Sequence, residues 1–508
     1  MGMAQKHDLF SYSLPQTLWR AEVVKSQEAV IADKLGISLS LLMERAGQAA
    51  FDYLQSAWPG AQKLLVLAGG GNNGGDAYVV ARLAKQSGQQ VQVIDLGSTT
   101  GKPSEAGAAK EAWVTAGGKL ETLDELDWQC DVIIDGVLGT GITGSLRQPL
   151  CDLFAKVNLA TAPVLSLDLP SGLCANTGRN LGAVIKANAT ITFIAAKQGL
   201  FTGHAAEYVG ELVFAGLGID QQFDKYNVSD VSRVEVSELT QMLQRRSKTA
   251  HKGQFGQLAV VGGKKGMPGA IRMAAEASLR AGAGLVNVFT HPDNSPVVSA
   301  GRPELMVAGI GLEHTKPLAE SLKPARCVVI GPGLGQDQWA KLLLTETFKQ
   351  TVHCLVDADG LNLLALAPLR RNDWVLTPHP GEAARLLACS VEDIEGDRIA
   401  AARHIQQAFG GVCVLKGAGT IIAGNDGKVK ICNVGNPGMA SGGMGDVLSG
   451  IIGGLMAQFA VQHSLFDIAC LGVSIHGMAG DLAAAQGERG MLASDLMPYI
   501  RQLVNPEL

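Results

Sequence analysis

At 508 residues the chain is too long for one ordinary domain and ample for two well-buried α/β domains of roughly 200 to 280 residues each. Hydrophobic residues make up 47% and charged residues 18%, and there are 63 glycines, which excludes long disordered stretches and suits α/β units whose turns need unusual backbone angles. A formal charge of -5 with no long run of Lys or Arg argues against nucleic acid as an obligate partner, and nine scattered cysteines without a C-x-x-C pair suggest neither a disulfide framework nor a zinc site.

The first residues lack the apolar core of a signal peptide, and no stretch reads as a continuous apolar segment of membrane-spanning length. The expectation is a soluble, cytoplasmic protein with no membrane partner. Hydrophobic spacing predicts a helix over 26–54, broken near Gly36, then a strand over 64–68, a helix over 77–85 and a strand over 91–95. Strands over 132–135, 164–168 and 189–194 continue the series. Such alternation predicts a mostly parallel sheet covered by helices on both faces, with a ligand site beyond the strand C-ends. Between Gln221 and Arg246 the pattern lapses into polar residues, and the boundary is placed there, dividing the chain into 1–228 and 229–508. A second series follows, with strands over 258–261, 285–290, 327–330, 354–357, 374–376 and 412–415. Helices are predicted over 270–281, 383–388, 398–409 and 447–459.

Gly69 to Asp76 reads G-G-G-N-N-G-G-D between a strand and a helix. It formally contains G-x-G-x-x-G through Gly69, Gly71 and Gly74, and Asp95 ends the next strand, so a dehydrogenase-type dinucleotide site is a fair rival reading. Asp76, however, stands where a pyrophosphate would rest. Two like charges in one small pocket repel unless a cation or a proton intervenes. Asn72 and Asn73 offer oxygens to such a cation. Two further loops follow strands: D-G-V-L-G-T-G-I-T-G-S from Asp135, and D-L-P-S-G from Asp168 to Gly172. Each alone reads as a turn or cap. Three carboxylates at three strand ends read together as a site.

In the second half the motifs are H-K-G-Q-F-G (251–256), G-G-K-K-G-M-P-G-A (262–270), G-P-G-L-G (331–335), V-D-A-D-G-L-N (356–362), T-P-H-P-G-E (377–382), K-G-A-G-T (416–420) and S-G-G-M-G-D (441–446). After Asp446 the apolar residues Val447, Leu448, Ile451, Ile452, Leu455 and Met456 fall at helical spacing. The glycine-rich run therefore opens a buried helix whose free N–H groups suit a phosphate. Asp446 has a plain alternative as a helix-start acid, worth ~0.3 to 1 kcal/mol. His379, between two prolines, has one in bonding the backbone of a rigid turn. Asp357 and Asp359 divide evenly between turn formation and site support.

The set N-N-G-G-D, D-x-x-L-G-T-G and D-L-P-S-G resembles the NAD(P)H-hydrate epimerase family over about residues 20–225. The resemblance implies a Rossmann-like three-layer α/β/α domain with bound K+ that interconverts the R and S epimers of NADH or NADPH hydrated at nicotinamide C6. By it, Asp168 acts in acid/base chemistry, while Asn72, Asn73, Gly74, Gly75, Asp76, Gly139, Thr140, Gly141, Ile142, Thr143, Gly144 and Ser145 hold substrate. Asn73, Asp135 and Ser171 surround the potassium ion. Lys197, in T-F-I-A-A-K-Q-G, has a role open to it in orienting Asp168 or the substrate, but is rated below these because a strand-end lysine is more often solvated. The second set resembles the ADP- or ATP-dependent NAD(P)H-hydrate dehydratase family, with a ribokinase-like three-layer α/β/α fold, over about 240–505. By that resemblance Ala270, Gly333, His379 and Asp446 contact the hydrated nucleotide; Asp446, the catalytic residue, has the chemistry to accept the C6 hydroxyl proton as that oxygen attacks the terminal phosphoryl group. Lys416, Gly417, Ala418, Gly419, Thr420 and Gly445 contact the adenine nucleotide. Glu382 takes the place where related kinases keep an acid that organises Mg2+.

The implied reading is a bifunctional repair enzyme using Mg2+ and ADP, and a homo-oligomer. The alternatives are a vitamin-precursor or sugar kinase fused to a nucleotide-binding domain, and a nucleotide sensor without turnover.

Overall fold

The computed structural model describes residues 9–97, 104–142, 144–312, 316–350 and 352–505. The chain divides into two compact units, Met1–Ser232 and Arg233–Leu508.

The first unit is built on six parallel strands: β1 (Lys63–Ala68), β2 (Gln90–Asp95), β3 (Val132–Gly136), β4 (Val164–Leu167), β5 (Ala189–Phe193) and β6 (Glu211–Ala215), in the order β2-β1-β3-β4-β5-β6. The strands read as nearly continuous apolar runs because both faces are covered. Leu64, Val66 and Ala68 enter one hydrophobic core, while their neighbours Leu65 and Leu67 enter another on the opposite face. From β1 the chain moves outward to β2, then crosses back to β3. The reversal leaves a crevice beyond the C-ends of β1 and β3, where ligands of open α/β sheets bind.

Two helical expectations change. The first helix starts earlier, at Ala21; its break near Gly36 is as expected, dividing it into Ala21–Lys34 and Leu39–Ala57 where Gly36 takes φ +66°. The helix expected over 77–85 is Asn72–Gln86, so N-N-G-G-D is its first turn rather than a loop before it. Adjacent glycines carry poor helix propensity and hid this start. Packing overrides propensity, since a methyl group on Gly74 would lie 1.8 Å from the Gly69 carbonyl oxygen.

In the second unit β7 (Gln257–Val261), β8 (Leu285–Thr290), β9 (Met306–Gly309), β10 (Cys327–Ile330), β11 (His353–Val356), β12 (Trp374–Leu376) and β13 (Val412–Leu415) are parallel. Two antiparallel strands, β14 (Thr420–Ala423) and β15 (Val429–Cys432), extend the sheet in the order β9-β8-β7-β10-β11-β12-β13-β14-β15. The helix after S-G-G begins at Met444, capped by Gly443 at φ +93°.

The sequence reading missed one long element. Contrary to the expectation that no segment is long and apolar enough to span a membrane, Leu465–Ala484 passes that test by length and composition. In the fold it is a core helix, burying Ile468, Leu471 and Ile475 in the cluster that holds Ile451, Ile452 and Leu455 of Met444–Phe459. An apolar helix buried among its neighbours and one meant for lipid share one composition.

Candidate functional site

Within the first unit a cavity of about 710 Å³ lies beyond the strand C-ends. Asn72, Asn73, Asp76, Gly139, Thr140, Gly141, Ile142, Ser145 and Asp168 all line it. Gly74 and Gly75 do not, because they face packing partners: a methyl on Gly75 would meet the Met43 side chain at 2.6 Å. Gly144 is not among the lining residues, and Thr143 lies outside the described residues.

Asp168 follows β4 with φ +65°, a left-handed conformation that costs a residue with a Cβ of order 1 kcal/mol or more. Ile194 after β5 (φ +66°) and Leu217 after β6 (φ +55°) share it, and both also line the cavity. Strain gathered at three successive strand ends marks a place where backbone comfort yields to side-chain placement. Asp168 is ion-paired with Lys197, and its Oδ1 accepts the Phe193 amide at 3.2 Å. Lys197 is not the solvated strand-end lysine of the sequence reading. It is 1% exposed and donates to the Phe193 carbonyl at 2.8 Å and to Thr192 Oγ1 at 3.2 Å.

Two further carboxyls face the same space. Burial, reinforced by Asp168 and Glu28, pushes the Asp76 carboxyl well above its ordinary range, which favours the proton among the two remedies, cation or proton, that the sequence offered for this spot. Burial and the Asp168 charge raise Glu28 to about 6. Glu28 was missed in the sequence, although a signal existed: it follows the buried Val24 by four positions and precedes the buried Ile31 by three, a charge set on an apolar helix face.

Asp135, the last residue but one of β3, is fully buried. Its carboxylate accepts from Ser166 Oγ (2.8 Å), Ser171 N (2.9 Å), Ser171 Oγ (2.5 Å) and Val137 N (3.3 Å), and burial still raises its pKa. Asn73 Nδ2 donates to the Leu138 carbonyl at 3.1 Å, while Asn73 Oδ1 is buried with no partner among the described residues. A buried negative charge beside an orphaned amide oxygen is a donor set of oxygens only, which fits a hard cation.

In the second unit the motifs also meet beyond strand C-ends. Asp357, after β11, accepts from Lys416 Nζ on Oδ1 at 2.7 Å and from Ser449 Oγ on Oδ2 at 2.7 Å. Lys416, after β13, also stands 3.7 Å from Glu382. Burial alone would lower the Lys416 pKa, but Asp357 and Glu382 outweigh it and raise it. Gly445 lies against this cluster: a methyl there would sit 3.4 Å from Lys416 Nζ. Asp446, in the first turn of Met444–Phe459, is pushed up to about 7, first by burial and then by Asp357, with Lys416 opposing.

Gly417, Ala418 and Gly419 form the tip of the hairpin between β13 and β14, with Thr420 opening β14. Arg398, missed in the sequence, pins this tip by donating to the Lys416 carbonyl at 3.0 Å. Ala270 and Gly333 are neighbours, since a methyl on Gly333 would lie 3.3 Å from the Ala270 Cβ. Asp359 supports the G-P-G-L-G loop by accepting from the Gly335 amide at 2.8 Å. His379 caps helix Pro380–Leu387: its Nδ1 accepts from the Gly381 amide at 3.0 Å, and Glu382 accepts from the His379 amide at 2.8 Å. Its Nε2, on the half-exposed side of the ring, lies 3.4 Å from Glu382.

Fold and sites together define a two-domain α/β enzyme, a Rossmann-like lobe joined to a ribokinase-like one. A family model described as NAD(P)H-hydrate dehydratase matches residues 258–502, and one described as YjeF-related protein N-terminus matches 40–199. The chain is 48% identical over 501 residues to the bifunctional NAD(P)H-hydrate repair enzyme Nnr of Escherichia coli (strain K12), covering 98% of this chain and 95% of that one. It is 46% identical over 482 residues to the enzyme of that name from Coxiella burnetii (strain RSA 493 / Nine Mile phase I), covering 94% and 97%. A solved ribokinase-like superfamily protein from Enterococcus faecalis V583 superposes with a TM-score of 0.51 at 29% identity, covering 55% of this chain and 97% of that one. The chain belongs to the family of bifunctional NAD(P)H-hydrate repair enzymes, which join an isomerase and a lyase in one polypeptide.

Proposed function

We propose that the first unit epimerises NADH and NADPH hydrated at nicotinamide C6, and that the second dehydrates the S epimer with ADP as phosphoryl donor, giving AMP and phosphate. The observation that carries this reading is Asp446, a half-buried carboxyl at a helix start beside Lys416 and the Gly445 cradle.

In the dehydratase, Asp446 accepts the C6 hydroxyl proton as that oxygen attacks the terminal phosphoryl group. The free N–H groups at the start of Met444–Phe459 and the Lys416 ammonium receive the charge spread over the transferring oxygens. The hydroxyl leaves as phosphate, expelled by the lone pair of N1, and loss of a C5 proton restores the dihydropyridine. Among the described residues no group of three His, Cys, Asp or Glu side chains could hold a metal by itself; Glu382 would hold Mg2+ together with the nucleotide's phosphates, and the ion would supply positive charge to the transferring oxygens. Ala270, Gly333 and His379 border the hydrated nicotinamide nucleotide, and Lys416 to Thr420 the adenine nucleotide.

In the epimerase, the protonated Asp76 carboxyl donates to the departing C6 hydroxyl, with N1 assisting. Asp168, fixed by Lys197 and the Phe193 amide, receives a proton from the water that returns on the other face, and the two carboxyls regain their starting states by exchanging protons with solvent. Asn73, Asp135 and Ser171 would hold K+, which would supply positive charge beside the buried Asp135. The deciding experiment gives the purified chain both hydrated epimers, Mg2+ and either ADP or ATP, and follows reduced-nicotinamide absorbance. Recovery of both epimers with ADP supports the reading; a stable phosphorylated product without NADH would replace it with a kinase.

A further inference from the structure

At the opposite end of the second unit's sheet, where β7 and β8 begin, lies a cavity of about 590 Å³. It is bordered by Gln458 and Phe459, the last residues of the helix whose first turn bears Asp446. Twelve residues of helix separate Gln458 from Asp446, roughly 18 Å at the rise of an α-helix. The two places are distinct.

Five arginines line this cavity and two carboxylates face them. Glu276 is ion-paired with Arg302 and lies 3.8 Å from Arg280, and Glu304 is 3.9 Å from Arg302. Both acids are thus committed. Arg245, Arg246 and Arg501 have no carboxylate partner among the described residues. Arg246 is held by neutral groups: its Nη2 donates to the Gly282 carbonyl (2.6 Å) and Gln458 Oε1 (2.9 Å), and its guanidinium stacks 3.6 Å from the centroid of the Phe255 ring. The Nε–H of Arg302 is buried with no acceptor among the described residues.

A plain reason for cations here is the helix dipole, which favours them in a last turn. It accounts for Arg280 and Arg501, each in the last turn of its own helix. It does not account for Arg245 and Arg246, which lie outside any helix. Guanidiniums gathered around one cavity without counter-charge repel each other, and a bound anion turns that repulsion into attraction. Leu243, Leu279, Phe459 and Val504 supply an apolar wall beside the charges, and the volume lies in the range of small-ligand sites.

We infer that this cavity is a second, non-catalytic site for a phosphorylated small molecule of nucleotide size, bound through Arg245, Arg246 and Arg501. The inference does not depend on the reaction proposed above. The test uses the full-length protein and pyrophosphate, with ADP as a parallel probe. Arginine-directed labelling read by mass spectrometry is expected to show Arg245 and Arg501 protected by either probe. Protection at lower concentrations of ADP than of pyrophosphate assigns the apolar wall to a base, and equal protection assigns the site to the phosphates alone. The double substitution Arg245→Ala/Arg501→Ala is expected to weaken one class of calorimetric pyrophosphate binding by roughly tenfold or more, the loss of charge-assisted hydrogen bonds. Dehydration at saturating ADP stays unchanged, because both side chains are remote from Asp446. Unaltered labelling with both probes, or a wild-type isotherm from the double variant, overturns the inference.

Discussion

In the proposed mechanism, burial and the neighbouring Asp357 set the pH dependence of dehydration through Asp446. The carboxyl must be ionised to accept a proton, so kcat/KM is expected to fall below about pH 7 and level off above it. Asp446→Asn should remove that dependence along with ~10²- to 10⁴-fold of the rate, while leaving epimerisation intact. The same substitution has a stability signature. A carboxyl whose value rises from 3.8 unfolded to about 7 folded contributes stability as the neutral acid, and this contribution is lost as pH climbs through that interval. The asparagine variant should therefore gain Tm relative to wild type at pH 8 and not at pH 4. Lys197 is a second sharp point. Lys197→Met leaves Asp168 without its buried ionic partner, expected to destabilise the first unit by about 3 kcal/mol where the charge persists, read by denaturant unfolding, and to lower epimerisation.

At the scale of elements, two glycines separate packing from chemistry. Gly74→Ala puts a methyl 1.8 Å from the Gly69 carbonyl, so helix Asn72–Gln86 cannot seat against its strand, and thermal unfolding should show a loss of ~3 kcal/mol or more. Gly445→Ala meets only side-chain ends, Lys416 Nζ at 3.4 Å and Asp357 Oδ2 at 3.9 Å, so the protein should fold normally yet lose dehydratase activity, visible as a wild-type melt with a raised KM for ADP. The same contrast marks what was legible in advance. Core strands such as Leu285–Thr290 and Cys327–Ile330 were readable to the residue, because runs of β-branched and apolar residues bounded by turns have one reading. The start of Asn72–Gln86 was not, because glycines conceal a helix that packing enforces. Leu465–Ala484 escaped because it is apolar on nearly every face and offers no periodic stripe. In the sites, Asp168 and Asp446 could be named from glycine-rich context. Glu28 was missed, and Lys197 and Asp357 were left undecided between a site role and a plain one, because their burial, the Lys197–Asp168 and Lys416–Asp357 pairs and the nearness of Glu28 to Asp168 arise only in three dimensions.

For the whole molecule, the two reactions should be separable by substitution and by ions. Asp168→Asn given a mixed pool of epimers should restore NADH rapidly and then stall at the fraction that began as S, whereas wild type runs to completion; equal end points would contradict the division of labour. Replacing K+ by a bulky organic cation should slow epimerisation and leave dehydration of the pure S epimer untouched, because the orphaned Asn73 oxygen and the buried Asp135 lie in the first unit alone.

Ser449 and Asp446 ride on one helix, and Ser449 is tied through Asp357 to Lys416. The helix that carries the proposed proton acceptor is thus anchored to the strand ends it faces. Under the proposed mechanism an acceptor on an anchored helix serves one placement of the C6 hydroxyl. On that reading the other epimer has to be converted first, which is the use the proposed activity of the other half would have.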